Sequence, residues 1–231
     1  IAIGHRRLSI IDLDSGQQPM FDTTKQLVIV FNGEIYNFLS LREELIETGF
    51  TFKTTSDTEV ILNGYKHWGI DGILSRIEGM FSFAIYDLNQ KKLFIARDKF
   101  GEKPLYYYKN EEKFIFTSEL KALKHEIKKK TINKTALNLF LSLSYIPAPF
   151  TIYESVFKLM PGTFIELNLE GNSKEKEYYS LLKRIKDIKK YSDFNLAKKT
   201  LKLLFQESIK MRMISDVPIG AFLSGGIDSS I

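Results

Sequence analysis

The chain has 231 residues, of which 44% are hydrophobic and 26% charged, a balance typical of a globular protein and far from that of a disordered one. The net charge of +5 comes from lysines in loose clusters, which are typical of solvated surfaces and indicate neither a nucleic acid nor a membrane as partner. The longest apolar run is about five residues, far short of the roughly 20 that span a bilayer, and the absence of cysteine excludes disulfides and thiolate metal sites and fits the reducing cytoplasm.

The first part of the chain predicts a buried strand followed by a helix. Residues 26–31 form a continuous apolar and β-branched run, and the Asn-Gly pair at 32–33 predicts that the strand ends there in a turn. Apolar residues over 38–48 have the spacing of an amphipathic helix. Asn37 is a suitable N-cap and Gly49 a suitable C-terminal stop, so both ends of this helix are predicted.

A second helix and a series of hairpins follow. Residues 56–59 have the Ser-x-x-Glu form of a capping box, which predicts a helix that starts there and ends near Gly69. The hydrophobic period then changes to two, which predicts antiparallel strands. These strands cover residues 81–86, 93–96, 105–108, 114–117 and 164–167. Helices followed by hairpins indicate an α+β fold built in layers.

The composition of the sequence changes after Gly171. Residues 172–193 are polar and rich in lysine, as in a linker, and a helical pattern returns over 194–213. An apolar segment at 217–223 predicts a strand that leads into the closing loop. We therefore expect a first domain, a linker and the start of a second domain, with boundaries at residues 1–171, 172–193 and 194–231.

The loop at the end of the chain has the composition of an anion site. It reads Ser-Gly-Gly-Ile-Asp-Ser-Ser over 224–230. Glycines allow a ligand to approach the backbone, while N–H groups, serine hydroxyls and a helix N-terminus supply donors. A phosphate is the expected guest. The lysine of a Walker A loop is missing, so the sequence predicts a phosphate loop of another type.

A series of ordered sequence blocks carries a resemblance to a known family. The blocks are GHRRLSIID at 4–12, FNGEIYN at 31–37, SDTE at 56–59, ARDKFGEKPLYY at 96–107, SELKAL at 118–123, YIPAP at 145–149, KLMPG at 158–162 and SGGIDSS at 224–230. The last block resembles the pyrophosphate loop of ATP pyrophosphatases. Together the blocks resemble the glutamine-hydrolysing asparagine synthetases, whose glutaminase uses an N-terminal cysteine, and the resemblance covers nearly the whole chain.

The resemblance implies a fold and a reaction. The fold would be a four-layer αββα domain of the N-terminal-nucleophile type, followed by the beginning of a parallel α/β domain that binds adenine nucleotide. The first domain would hydrolyse glutamine, and the second would use ATP and Mg2+ to activate aspartate as a β-aspartyl-adenylate. Ammonia would then give asparagine, with glutamate, AMP and pyrophosphate as the other products. The implied partners are the small molecules glutamine, aspartate and ATP, with a homodimer as an open expectation.

The same resemblance assigns glutamine binding to Arg7, Leu8, Ser9, Ile10, Ile11, Asn32, Gly33, Glu34 and Asp57. The guanidinium of Arg7 would hold the α-carboxylate of glutamine in a forked pair of bonds. Asn32 and Gly33 would form the oxyanion hole, and Glu34 and Asp57 would neutralise the α-ammonium group. Simpler interpretations stay open, because Asn-Gly is a common turn and because the helix dipole favours an acid in the first turn of a helix.

In the second domain, the resemblance assigns ATP binding to Leu223, Ser224, Gly225, Gly226, Asp228, Ser229 and Ser230. Leu223 would lie beside the nucleotide, and the other residues would surround its phosphates. No residue is assigned as a metal ligand, although Asp228 would lie near the magnesium ion that accompanies ATP.

The cysteine nucleophile of the family is not among the 231 residues. Either the sequence is a piece of a longer protein, or the cysteine has been lost, as in relatives without glutaminase activity. The first residues read as the middle of a domain, and Arg7, Asn32 and Asp57 are retained. These features favour a fragment that is cut at both ends and inactive by itself.

Other functions are compatible with parts of the sequence. An amidotransferase with another carboxylate acceptor, for example in surface-polysaccharide synthesis, would share the glutaminase residues. A non-catalytic relative would bind glutamine without turnover, and a nucleic-acid binder would show binding that weakens steeply with salt. We expect His5 and His67 to be structural or exposed, since no serine–histidine–acid arrangement is visible, and Arg97 and Asp98 to be a structural pair in a turn.

Overall fold

A computed structural model describes residues 1–6, 11–12, 15–186, 188 and 190–230, and for Asp228 the backbone alone. The strands are β1 Met20–Phe21, β2 Leu27–Ile35, β3 Gly79–Asp87, β4 Lys92–Arg97, β5 Tyr106–Lys109, β6 Phe114–Thr117, β7 Val156–Lys158, β8 Thr163–Asn168 and β9 Ser173–Glu177. The helices are α1 Phe38–Glu47, α2 Asp57–Arg76, α3 Lys134–Leu143, α4 Leu181–Ile185, α5 Phe194–Met211 and α6 Ile227–Ser230, with a 3₁₀ helix at Leu120–Leu123. Within these ranges, no helix is long and apolar enough to cross a membrane.

Two antiparallel sheets form the centre of the fold. The larger sheet has six strands in the order β1-β2-β3-β4-β8-β9, and the smaller has three in the order β6-β5-β7. The pairing of β2 with β3 is the longest and runs from Leu27 opposite Asp87 to Ile35 opposite Gly79. The hairpins predicted from the period of two are confirmed as β3–β4 and β5–β6.

Both faces of the larger sheet are buried, because alternate side chains of its strands are apolar on both sides. Along β2, Ile29 and Ile35 pack against the residues of α1 and α2, whereas Val30 packs against the smaller sheet. A third apolar cluster lies behind the smaller sheet, where Leu123 of the 3₁₀ helix packs with Tyr108. The order of layers is therefore helices, sheet, sheet and a short helical segment, and the layered α+β fold expected from the sequence is confirmed.

Strand β2 continues through the Asn-Gly pair, so the turn predicted at 32–33 is wrong. Gly33 pairs with Phe81 in an unbroken register. A Cβ atom built at Gly33 would lie 2.2 Å from the backbone oxygen of Met80, where no side chain fits. Glycine is required here because the neighbouring strand approaches closely, and not because the chain reverses direction.

The first helix ends as predicted but begins differently. Gly49 has a positive φ of 93°, and its N–H donates to the carbonyl of Ile46 as in a Schellman motif. Asn37 precedes the helix, but its side chain makes no capping bond. Its amide instead bonds the backbone of Arg76 and of Glu78. These bonds tie the start of α1 to the link between α2 and β3.

The second helix continues past its predicted end. It covers Asp57–Arg76 with a kink at Gly69, where φ is 70° and ψ is −178°. Glycine adopts this conformation without strain, so the chain bends at this residue instead of stopping. At the start of the helix, Ser56 accepts a bond from the N–H of Thr58, whereas Glu59 bonds the N–H groups of the preceding loop. The predicted capping box is thus only half formed.

The C-terminal part of the chain differs from its prediction in two places. The segment at 172–193, predicted as a linker with some local helix, contains helix α4 but also strand β9, which pairs with β8 at the edge of the larger sheet. Lysine and glutamate alternate along β9, a pattern that suits an exposed edge strand. The strand predicted at 217–223 is not formed, because a buried strand needs neighbours that the described residues do not provide. The helices predicted over 194–213 and after the glycine pair are confirmed as α5 and α6.

Candidate active site

A cleft of about 500 Å³ lies between the two sheets at the C-terminal end of β2. One wall is the inner face of the larger sheet, which includes Ser82 of β3. The opposite wall comes from the end of β6 and the 3₁₀ helix, and Lys103 also lines the space. Five residues predicted to bind glutamine line this one cleft, namely Ile11, Asn32, Gly33, Glu34 and Asp57.

Four further residues of that prediction, Arg7, Leu8, Ser9 and Ile10, lie outside the described residues. The chain on either side of them reaches the cleft, since its wall includes both the range 4–6 and Ile11. Their assigned roles stay predictions.

The edge of β2 that faces away from β3 directs backbone donors into the cleft region. The N–H of Phe31 donates to the side chain of Gln18 at 2.6 Å, and the N–H of Ile35 donates to the carboxylate of Asp57 at 3.0 Å. Backbone groups alternate between the two sides of a strand, so the N–H of Gly33, midway between these two, points to the same edge. Strand β1 pairs with the first half of β2 and ends before this point. The N–H of Gly33 is therefore directed away from the sheet, where a ligand oxygen can accept from it.

Two buried carboxylates, those of Glu34 and Asp57, lie in the wall of the cleft. Burial raises the pKa of Glu34 and the charge of Asp57 raises it further, while Lys103 and Arg212 lower it. Because the net shift is upward, the charged form of Glu34 is disfavoured in the ligand-free protein. A bound ammonium group would offset this cost, as an opposite charge within a few ångströms favours the carboxylate form.

The cleft contains polar residues that sequence reasoning missed. Gln18 bonds both backbone groups of Phe31 and so occupies the place of a neighbouring strand. Ser82 stands opposite Asn32 in the register of β2 and β3. No local pattern marks these residues, because Gln18 lies in an irregular segment and Ser82 reaches the cleft through strand pairing.

The turn that carries Lys103 is held by two buried charged residues. Asp98 accepts from four backbone N–H groups, those of Phe81, Phe100, Glu102 and Lys103. Arg97 donates to three carbonyls, those of Gly101, Lys103 and Leu159. Both residues have the structural role expected from the sequence. These bonds join each of them to backbone groups of the turn and its surroundings, and not to the other member of the expected pair.

The two histidines have different surroundings. His67 packs edge-on against the rings of Phe50 and Trp68, with centroids 5.4 and 5.3 Å away, which agrees with a structural role. His5 lines the cleft, a position that the sequence did not predict.

The closing loop at 224–230 gathers three serine hydroxyls beside the first turn of α6. Gly225 has a positive φ of 77°, which glycine adopts without strain. The hydroxyl oxygens of Ser224 and Ser229 are 2.9 Å apart, and the hydroxyl of Ser230 donates to the carbonyl of Gly226 at 2.7 Å. In this arrangement the hydroxyls bond within the loop, and their role in holding a phosphate stays a prediction. Leu223, which precedes the loop, is exposed.

Magnesium is expected here only through the resemblance, together with ATP. In the part of the chain that the structure describes, no cluster of three or more histidine or acidic side chains is arranged to hold a metal ion. The side chain of Asp228 lies outside the described residues. Magnesium therefore stays an expectation that accompanies ATP.

Comparisons with known families and proteins bear on the cleft and the loop. A family model described as a glutamine amidotransferase domain matches residues 1–179, and one described as asparagine synthase matches residues 200–231. The provisionally named glutamine-hydrolysing asparagine synthetase 2 of Methanocaldococcus jannaschii is 42% identical over 249 residues. Glutamine-hydrolysing asparagine synthetase 1 of Bacillus subtilis is 41% identical over 230 residues. The alignments include all of this chain but 47% and 36% of these relatives, so the chain spans about a third to a half of their length.

A solved structure gives the same fold. The glutamine phosphoribosylpyrophosphate amidotransferase of Bacillus subtilis, in complex with ADP and GMP, matches 70% of this chain and 32% of its own. The TM-score is 0.51 and the sequence identity 21%, a level at which the likeness concerns the fold alone. The fold class expected from the sequence and the resemblance of its motifs are both confirmed.

Proposed function

Because the chain belongs to the glutamine amidotransferase domain family, we propose that its cleft binds glutamine. We further propose that the ammonia released in this cleft amidates aspartate. The observation that carries the first half is the edge of β2, where the N–H of Gly33 points away from the sheet beside Asn32 and two buried carboxylates. The match of residues 200–231 to asparagine synthase and the names of the relatives support the second half.

In the proposed glutaminase, the protein recognises the two ends of the amino-acid backbone separately. The α-ammonium group lies by Glu34 and Asp57, and the α-carboxylate is held by Arg7 with the backbone of 8–11. The amide carbonyl then reaches the N–H of Gly33 and the side-chain amide of Asn32. These two donors stabilise the oxygen when it becomes negative, and each such donor contributes about 10²- to 10³-fold to the rate.

The reaction also needs a nucleophile, and none of the 231 residues is a cysteine. We assign this role to an N-terminal cysteine of the complete protein. Its thiolate forms a bond to the amide carbon, ammonia leaves with a proton delivered by the α-amine, and water then releases glutamate from the thioester. The residues of this chain bind and orient glutamine and stabilise the charged oxygen during both steps.

In the proposed synthetase, the loop at 224–230 holds the phosphates of ATP and Leu223 lies beside the nucleotide. The β-carboxylate of aspartate bonds to the α-phosphorus and pyrophosphate leaves. Ammonia then bonds to the acyl carbon and AMP leaves, which gives asparagine. When bound with ATP, magnesium would neutralise the charge of the phosphates, and no residue of this chain is assigned as its ligand. The division into 1–171, 172–193 and 194–231, a cytoplasmic location and a homodimer belong to the same proposal.

The experiment that tests this proposal uses the complete open reading frame. We expect AMP release with glutamine and ATP to require aspartate and to be matched by asparagine formation. Glutamine hydrolysis without aspartate-dependent AMP release would contradict the acceptor and would favour an amidotransferase that acts on another carboxylate. Glutamine binding without hydrolysis would agree with glutamine binding in the cleft, but it would contradict the release of ammonia and favour a non-catalytic relative.

A further inference from the structure

The segment between α5 and the closing loop reaches back to the glutamine cleft. The carboxylate of Asp216 accepts a bond from the backbone N–H of Asp12 at 2.8 Å. The guanidinium of Arg212 lies 4.5 Å from the ring centroid of Tyr36, which follows β2 and is buried. Ile214, between them, packs against the core of helices and larger sheet. These contacts fix the segment beside the end of β2.

Asp12 connects this segment to the cleft wall. It is buried and has a positive φ of 53°, a conformation that aspartate tolerates better than most residues. Its carboxylate accepts bonds from the N–H and hydroxyl of Ser15 and, at 2.8 Å, from the N–H of Thr55. Burial alone would raise the pKa of Asp12, but the bonds from Ser15 and Thr55 outweigh it and lower the pKa to about 2. Asp12 is therefore a charged anchor for two loops at neutral pH.

Both loops held by Asp12 carry residues of the cleft. Ile11, directly before it, lines the cleft. Thr55 directly precedes Ser56, which caps α2. The next residue is Asp57, whose carboxylate accepts a bond from the N–H of Ile35 at the end of β2. A continuous series of hydrogen bonds and backbone connections thus leads from Asp216 through Asp12 and Thr55 to residues that line the cleft.

We propose that Asp216 is a positioning residue for the glutamine site and acts by holding the backbone of Asp12. The proposal rests on the function proposed above, since it concerns the same cleft. It assigns a glutamine-site role to a segment that leads into the phosphate loop. Asp216 is not among the described residues that line the cleft, so it would act through the backbone beside Asp12 that is proposed to hold the α-carboxylate of glutamine. We therefore expect its loss to change the affinity for glutamine more than the chemical step.

The test compares two substitutions of Asp216 and one control substitution in the complete protein. Asp216→Ala removes the acceptor, and we expect the KM for glutamine to rise about fivefold or more with kcat for hydrolysis within about twofold, as for a lost hydrogen bond to a charged group. Asp216→Asn keeps an acceptor oxygen in place, and its KM should stay within about twofold of wild type. Glu207→Ala, which removes an exposed acid from α5, is the matched control and should leave KM unchanged.

A merely structural role predicts a different result. Asparagine formation with ammonia in place of glutamine bypasses the cleft, and Asp216→Ala should leave it within about twofold of wild type. A parallel loss of both activities, an equal rise in KM for the Ala and Asn variants, or an unchanged KM for Ala would overturn the proposal. If Asp216→Ala does not fold, Asp216→Glu replaces it. The longer side chain of glutamate displaces the carboxylate, so we expect a higher KM for glutamine than in Asp216→Asn. Equal KM values for these two variants would overturn the proposal.

Failure of the proposed function can be told apart from failure of this inference. If the wild-type protein hydrolyses glutamine but does not amidate aspartate, the proposed acceptor is wrong. The KM for glutamine still tests the role of Asp216 in that case, and the thermal midpoint of each variant then serves as the structural control. If there is no hydrolysis at all, the glutamine Kd from calorimetry replaces KM and is expected to change in the same order.

Discussion

Glu34 lies buried in the cleft wall, where burial and then the charge of Asp57 raise its pKa above the ordinary value of 4.5. The folded protein therefore binds a proton at this site at a pH where the unfolded chain has already lost it. Between the two pKa values the stability falls as pH rises, and above the folded value the whole cost is present. Glu34 thus destabilises the ligand-free protein at neutral pH, and a bound ammonium group would remove that cost.

Replacement of Glu34 by glutamine should separate stability from binding. At neutral pH we expect Glu34→Gln to raise the thermal midpoint of the ligand-free protein, because the buried charge is gone, and to raise the KM for glutamine, because the ammonium group loses a partner. The gain in midpoint should shrink as pH falls through the pKa of Glu34. Glu43→Gln, an exposed change on α1, is the control. A lower midpoint at neutral pH together with an unchanged KM would contradict the assignment.

At the scale of single residues, the sequence predicted which residues line the cleft better than it predicted their local conformation. Asn32 and Gly33 were predicted both as a turn and, from the resemblance, as an oxyanion hole. The structure excludes the turn, since both lie within β2, and the oxyanion role stays a prediction. Gln18 and Asp216 were not predicted, because their partners lie far away in sequence and no local pattern specifies them.

At the scale of elements, hydrophobic periodicity predicted several helices and strands correctly. The two hairpins, α1 and α5 follow their patterns closely. Helix α3 was not predicted, and it buries Ala136 while Phe140 and Leu141 are exposed, so its apolar pattern does not match the described core. Strand β9 was not predicted, because its charged residues are typical of linkers as well as of edge strands.

The kink in α2 gives a prediction about this element. Gly69 has a φ of 70° and open space around a built Cβ, so Gly69→Ala tests the backbone conformation alone. We expect it to lower the free energy of unfolding by about 1–3 kcal/mol, the usual cost of a side chain in this region. Chemical denaturation of the complete protein measures this value.

The matched control for this change is Gly220→Ala. Gly220 also has open space around a built Cβ, but its φ is not in the left-handed region. Its substitution should be neutral within about 0.5 kcal/mol. Equal effects at Gly69 and Gly220 would show that the kink does not depend on glycine.

At the scale of the whole molecule, the sandwich of two sheets creates the site. Asp57 and Ile35 are 22 residues apart and Asp12 and Asp216 are 204 apart, yet each pair is bonded in the fold. Local patterns carry no information about such contacts, so the sequence could predict the assembled cleft only through its resemblance to a family. The strand expected at 217–223 shows the limit of local patterns, because an apolar run alone does not form a strand when the described residues provide no neighbouring strand.

The most direct measurement is the kinetics of glutamine hydrolysis by Asn32→Ala in the complete protein. If the end of β2 forms the oxyanion hole, kcat should fall about 10²- to 10³-fold, while KM for glutamine changes little, because the lost bond forms in the transition state. Asn138→Ala, an exposed change on α3, should leave both constants unaltered. A kcat for Asn32→Ala within about threefold of wild type would contradict the assignment of this cleft as the site of hydrolysis.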